Sequence, residues 1–123
     1  MTNTTFTLNT KLPGANQIIQ TAKSSPKAYS KMKKEYTTLV IRELIRQKCV
    51  PMKPYEKICV SYKFYEGKDP RDPDNILAGL KFIHDGFVAT GIVEDDDIWH
   101  ITMGGMEFIP CGEFKIVVTF TVE

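Results

Sequence analysis

KDPRDPDNILAGLKFIHDGFVATGIVEDDDIW, residues 68–99, decides how the rest of the chain is read. Asp72 and Asp74 sit among prolines at its start, and Asp95, Asp96 and Asp97 lie near its end. Between them Ile76, Leu80, Ile83 and Phe87 fall at i, i+4, i+7 and i+11, the core-facing stripe of one helix from about Asp74 to Ala89. Asp74, Ala78, Lys81 and Asp85 keep the same spacing on nearly the opposite side, because two residues advance about 200° around a helix. Gly79 and Gly86 share a face that admits a close neighbour, either the sheet or a second subunit, although each costs ~1 kcal/mol relative to alanine. The loop Gly91 to Glu94 is expected to return Asp95 or Asp96 toward Asp72 and Asp74.

Upstream, Lys57 to Glu66 (KICVSYKFYE) alternates as a strand, with Ile58, Val60, Tyr62 and Phe64 on one side. Before it, Ser25-Pro26 reads as an N-cap followed by proline at the first helical position, opening a helix to about Gln47 with Tyr36, Val40 and Leu44 on its apolar face. Lys11 to Ser25, containing Pro13-Gly14, reads as a long loop, and Thr4 to Leu8 as a short strand. Downstream, Asp97 to Met103 reads as a strand, Gly104-Gly105 as a turn and Phe114 to Val122 as the last strand. The expected fold is α+β: one domain over residues 1–123, order β-α-β-α-β-β, with two main helices on a small mixed sheet. The last two strands are expected to form an antiparallel hairpin.

Composition narrows the function. The net charge of +1 hides a division: residues 1–68 carry 13 Lys/Arg against 4 Asp/Glu, a net +9, and residues 69–123 carry 3 against 11, a net −8. A basic half joined to an acidic half suits a polyanion gripped by one part and acted on by the other; two solvated faces that neutralise each other are the plainer alternative. Lys27, Lys31 and Lys34 line up near a helix N-terminus, where the dipole disfavours cations by ~0.3–1 kcal/mol, so a phosphate backbone is a candidate reason for them. Cys49, Cys59 and Cys111 are far apart, and His84 and His100 stand alone, which gives little support to thiolate or histidine mechanisms. No segment reaches the ~18 consecutive apolar residues of a membrane span, and the opening MTNTTFTLNT lacks a signal peptide's basic and apolar regions, so a cytoplasmic protein without a membrane partner is expected.

Carboxylates gathered this densely repel one another unless a cation lies between them, and hard oxygen donors suit Mg²⁺, with Mn²⁺ as a substitute, rather than zinc. Each cluster alone has an ordinary reading, Asp-Pro-Asp-Asn as a helix cap and Asp95-Asp96-Asp97 as a solvated loop, and Lys81 can pair with Asp85 at i+4. A calcium loop counted from Asp72 fails, with Leu77 at the glycine position and Ile83 at the glutamate position. No G-x-G-x-x-G or P-loop is present, so no nucleotide cofactor is expected.

R-D-P-D-N (Arg71 to Asn75), K-x-x-x-D (Lys81 to Asp85) and G-I-V-E-D-D (Gly91 to Asp96), in that order, resemble the RusA-type Holliday-junction resolvases, in the branch common in prophages and Gram-positive phages. The resemblance implies a homodimer that cuts four-way DNA junctions, leaving a 5′-phosphate and a 3′-hydroxyl. It implies one Mg²⁺ site built from Asp72, Asp74 and Asp96, with Asp95 in the same matched pair, and Lys81 assisting. The chain departs from the best-known member by extra residues between Asn75 and Lys81. The expected DNA contacts are Lys11, Lys23, Lys27, Lys31, Lys34 and Arg71. A two-fold dimer would match the junction's symmetry, with the Gly79 and Gly86 face or the strand Phe114 to Val122 as its interface. The competing reading is a catalytically silent DNA-binding or protein-interaction domain of prophage origin.

Overall fold

The inward alternation of Ile58, Val60, Tyr62 and Phe64 builds the strand on which the rest of the molecule hangs, since these four side chains are buried and Ser61 and Lys63 between them are exposed. In a computed structural model that describes residues 3–123, the elements are β1 (Asn3–Leu8), α1 (Ala15–Ser24), α2 (Pro26–Arg46), β2 (Ile58–Glu66), α3 (Pro73–Leu77), α4 (Leu80–Ala89), β3 (Ile101–Pro110) and β4 (Lys115–Val122). They form a small α+β domain with a mixed four-stranded sheet in the order β1-β4-β2-β3. Helices α2 and α4 pack on each other over one sheet face, around a core that includes Phe6, Val40, Tyr62, Ile83, Phe87 and Phe120.

Four expectations change. Residues 15–24 are a helix rather than part of a long loop. None of its residues is fully buried, and of its apolar side chains only Ile18 packs against the core. Ser25 then closes α1 and opens α2, its hydroxyl accepting from the Ala28 N–H at 3.2 Å ahead of Pro26.

Second, Gly104-Gly105 is not a turn. Both lie inside β3, which runs on to Pro110, and they stand opposite the single residue Ser61, because the register passes from Val60↔Met103 to Tyr62↔Met106. That is a bulge, and a Cβ on Gly104 would stand 2.7 Å from Ser61 Oγ and 2.9 Å from the Val60 carbonyl oxygen. The turn falls instead at residues 111–113, where Gly112 takes φ +89°.

Third, β3 and β4 make no hairpin. β3 pairs parallel to β2, and β4 lies on the other side of β2, antiparallel to both β2 and β1. The turn crosses the end of β2, where the Glu66 carbonyl accepts from the Cys111 and Gly112 N–H groups at 3.2 and 3.1 Å. Parallel pairing of β2 and β3 makes α3 and α4 a crossover connection and puts the aspartate turn directly after the carboxyl end of β2.

The helix expected from about Asp74 to Ala89 is two helices. Gly79 breaks it, packed so tightly on Leu12 that a Cβ there would stand 2.9 Å from Leu12 Cβ. Bonds from Gly79 N–H to the Ile76 carbonyl and from Phe82 N–H to the Gly79 carbonyl, both 3.1 Å, carry the chain through a tightened turn. The core stripe shifts accordingly: Phe82 is buried beside Ile76, Ile83 and Phe87, and Leu80 is only partly buried. Gly86 lets α4 approach α2, where a Cβ would stand 2.5 Å from Val40 Cγ1. Both glycines therefore face neighbours within the same chain, and both edges of β4 are paired within the sheet.

Candidate functional site

The aspartate turn is built from the end of β2 outward. Glu66 occupies the next inward position after Phe64 and is 3% exposed, a buried carboxylate that demands a partner. Arg71 supplies it: Nε donates to Oε1 at 3.0 Å, Nη2 to Oε2 at 2.9 Å, and the Arg71 backbone N–H to Oε1 at 3.2 Å. Burial pushes the Glu66 carboxyl up, but the Arg71 hydrogen bonds outweigh it and hold it below the ordinary value. The remaining guanidinium nitrogen, Nη1, donates to the Leu12 carbonyl at 2.9 Å. Arg71, expected as a DNA contact, is thus turned inward and committed to protein partners.

Asp72 and Asp74 follow on the outer side of this turn. Asp72 is the N-cap residue of α3 but its side chain makes no capping bond, and Asp74 lies in the first turn; both are exposed. Asn75 faces inward, its Oδ1 accepting from the Asn16 N–H at 3.1 Å. The R-D-P-D-N motif therefore divides by direction, with Arg71 and Asn75 fastened to the β1–α1 loop and both aspartates facing water.

The second acidic cluster divides as well. Asp97 is used locally: its Oδ1 accepts from the Trp99 N–H at 3.0 Å and pairs with His100 Nδ1. The His100 hydrogen bond holds the Asp97 carboxyl below its ordinary value, and the same bond raises His100. Asp95 Oδ1 accepts from the Asp96 N–H at 2.7 Å, whereas no side-chain bond occupies the Asp96 carboxylate among the described residues. The charge of Asp96 reaches His84 on α4. His84 is hydrogen-bonded through Nε2 to the Tyr62 hydroxyl, and burial holds it below its ordinary value against the opposing pull of Asp96 and Asp85. Burial likewise pushes the Tyr62 hydroxyl far up.

Lys81 is half exposed on α4, with Nζ 3.9 Å from Asp85 Oδ2, the i+4 pairing that its spacing allowed. Asp85 Oδ2 is buried and has no hydrogen-bond partner, so this ion pair is what it has among the described residues. Among the described residues no three His, Cys, Asp or Glu side chains gather around one point. The structure thus presents Asp72 and Asp74 at the start of α3 and Asp96 within reach of His84, without drawing them into one group.

The basic residues lie on the other half. Lys27, Lys31 and Lys34 are exposed on α2, and Lys23 is exposed in the last turn of α1. Lys11 sits over the Phe114 ring, 4.7 Å from its centroid. A cleft of about 490 Å³ runs along α2 between Lys31, Lys34, Glu35, Thr38, Leu39 and Arg42, so Arg42 joins the stripe about two turns beyond Lys34.

Three features escaped the sequence reading. Glu66 was detectable, because the alternation of β2 puts an acid at an inward position five residues before an arginine. The partly buried Tyr62–His84 pair carried no local signal, since its partners are 22 residues apart. Ile98 and Trp99, 77% and 75% exposed in the turn that Asp97 holds, were simply read as strand. No helix of the described residues is long and apolar enough to cross a membrane. No family model matches the chain, and no curated protein matches it.

Proposed function

We propose that the chain is a Mg²⁺-dependent, structure-selective endodeoxyribonuclease of the RusA kind, which hydrolyses phosphodiesters at four-way DNA junctions. The observation that carries this reading is the pair of exposed carboxylates, Asp72 and Asp74, at the start of α3, with the unbonded Asp96 carboxylate acting on His84 of α4. Hard oxygen donors of this kind suit Mg²⁺ or Mn²⁺. Asp72, Asp74 and Asp96 are the residues that would hold the ion, and the freedom of Asp96 against the engaged Asp95 favours it as the third ligand.

When bound, the ion supplies charge neutralisation and an activated water. The chain's own residues do the rest. Lys81, half exposed on α4, offsets charge that develops on the phosphate. The exposed stripe Lys27, Lys31, Lys34 and Arg42 grips the flanking backbone and holds the duplex in register. Two symmetric incisions at one junction require two such chains, and a homodimer remains part of the proposal.

Incubation of the purified protein with an end-labelled four-way junction, in Mg²⁺ and in EDTA, tests the reading. Metal-dependent paired incisions are expected, and intact junction under both conditions rejects it. The exposed Ile98 and Trp99 favour a second reading, a protein-interaction module. That reading predicts neither cutting nor salt-dependent junction binding.

A further inference from the structure

The inward half of the R-D-P-D-N motif has a function of its own. Two sets of hydrogen bonds meet where the β1–α1 loop enters α1. Arg71 bridges the buried Glu66 carboxylate and the Leu12 carbonyl, with bonds of 2.9 to 3.2 Å, and its side chain is 19% exposed. Asn75 receives the Asn16 N–H at 3.1 Å, at the start of α1. Gly14 lies between them, and a Cβ there would stand 2.9 Å from Asn75 Cγ and 3.1 Å from Arg71 Nη1. Only a residue without a side chain lets the loop lie this close. The bonds come from the two residues that flank Asp72 and Asp74, so they fix that turn from both ends and leave its carboxylates facing outward.

We infer that Arg71 and Asn75 are positioning residues, which with Glu66 and Gly14 latch the aspartate turn to the β1–α1 loop and set the geometry of Asp72 and Asp74 toward a divalent cation. This rests on the proposed metal-dependent function, but assigns Arg71 a role opposite to that of a surface phosphate contact. A guanidinium with both edges occupied by a buried carboxylate and a backbone carbonyl has little left to offer DNA. Outer groups that orient metal-binding carboxylates typically change metal affinity or activity by roughly 10–100-fold when removed.

The test uses the full chain and four variants, Arg71→Lys, Glu66→Gln, Asn75→Ala and Gly14→Ala. Calorimetric titration with Mn²⁺ reads metal affinity on the protein alone. Junction affinity and its salt dependence are measured in EDTA, and single-turnover rates across a Mg²⁺ series. Each variant is expected to weaken Mn²⁺ binding and raise half-saturating Mg²⁺ by roughly tenfold or more, with junction affinity in EDTA and its salt slope unchanged. Excess Mg²⁺ should restore most of the lost rate, which a merely unfolded fraction would not allow. Asn75→Ala, which leaves the buried ion pair intact, keeps the test valid if the Glu66 or Arg71 variants do not fold.

Unchanged Mn²⁺ affinity in Asn75→Ala and Gly14→Ala would overturn the latch even if the parent chain cuts junctions. An Arg71→Lys protein that loses junction affinity in EDTA, with a silent Glu66→Gln, would make Arg71 a phosphate contact and overturn it too. A parent that binds Mn²⁺ but cuts nothing would reject the endonuclease reading and leave the latch standing, whereas a parent that binds no Mn²⁺ rejects both.

Discussion

The basic half and the acidic half of this chain deploy charge by different means. α2 runs 21 residues without a break, so its cations form a straight exposed stripe at one helical spacing. α3 and α4 are 5 and 10 residues long and separated at Gly79, so the acidic half carries its carboxylates on turns at helix ends. A continuous helix can follow the repeating charge of a polyanion. Turns can aim individual groups, because each is fixed by its own hydrogen bonds. On the proposed function, that contrast makes one side of the molecule the part that holds and the other the part that acts.

The sharpest way to break that division is to neutralise the acting side alone. Asp72→Asn, Asp74→Asn and Asp96→Asn should each lower the Mg²⁺-dependent cutting rate by more than about a hundredfold, since a ligand matters more than the groups that orient it. Junction affinity should survive in a gel-shift assay. Full-rate cutting by Asp74→Asn protein would remove the metal site.

Neutralising the holding side should do the converse. Replacing Lys27, Lys31 and Lys34 together by glutamine should flatten the plot of log affinity against log salt by about 2.7, as three lost phosphate contacts require. Saturating DNA should recover the cutting rate. An unchanged slope moves the DNA surface off α2.

The seam between the halves is where α4 meets α2. Gly86→Ala would put a methyl against Val40 and should cost ~1–3 kcal/mol of stability, read from denaturant unfolding. A neutral outcome would show that the two helices have room to separate.

Lys81 sharpens the comparison further, as a cation within the acidic half. Lys81→Ala should slow single-turnover cutting roughly tenfold, worth about 1.4 kcal/mol in the barrier, with junction affinity intact. If the 3.9 Å contact with Asp85 is all it does, the rate will not move.

The smallest effect concerns His84, buried between Tyr62 and the acidic loop. Its folded pKa is lowered mainly by burial, so the unfolded chain binds the proton more readily. Stability is fully present above the unfolded value of 6.5 and is lost as pH falls from there through the folded pKa. A His84→Gln variant should show a flatter unfolding profile over that acidic window.

Much of this architecture was legible where the cause was local. The alternation of Ile58 to Phe64 and the Ser25-Pro26 start of α2 set those elements correctly, because pleat and capping act within a few residues. The strand order was not legible. A short turn between β3 and β4 suggests a hairpin, and only the insertion of β4 between β1 and β2 prevents it. Gly104-Gly105 carries the composition of a turn, but Ser61 and the Val60 carbonyl, on a strand 40 residues away, make it a bulge. In the candidate site the outward aspartates were visible as motif. The inward partners, Glu66 and Leu12 for Arg71 and Asn16 for Asn75, come from other elements, and a motif does not show which way each member points.

The position of β4 also governs when this protein can exist. Its pairings run from Asn3↔Thr121 on one side to Ile58↔Val122 on the other, so nascent β1 and β2 both wait for the last strand to be translated. Until then each exposes an unpaired edge, and the ribosome-bound intermediate lacks the centre of its sheet. A nascent chain stalled before Lys115 should be protease-sensitive and release into resistance once β4 clears the exit tunnel. Completion of the sheet therefore waits on β4, and any shorter nascent chain carries open strand edges that a chaperone can capture.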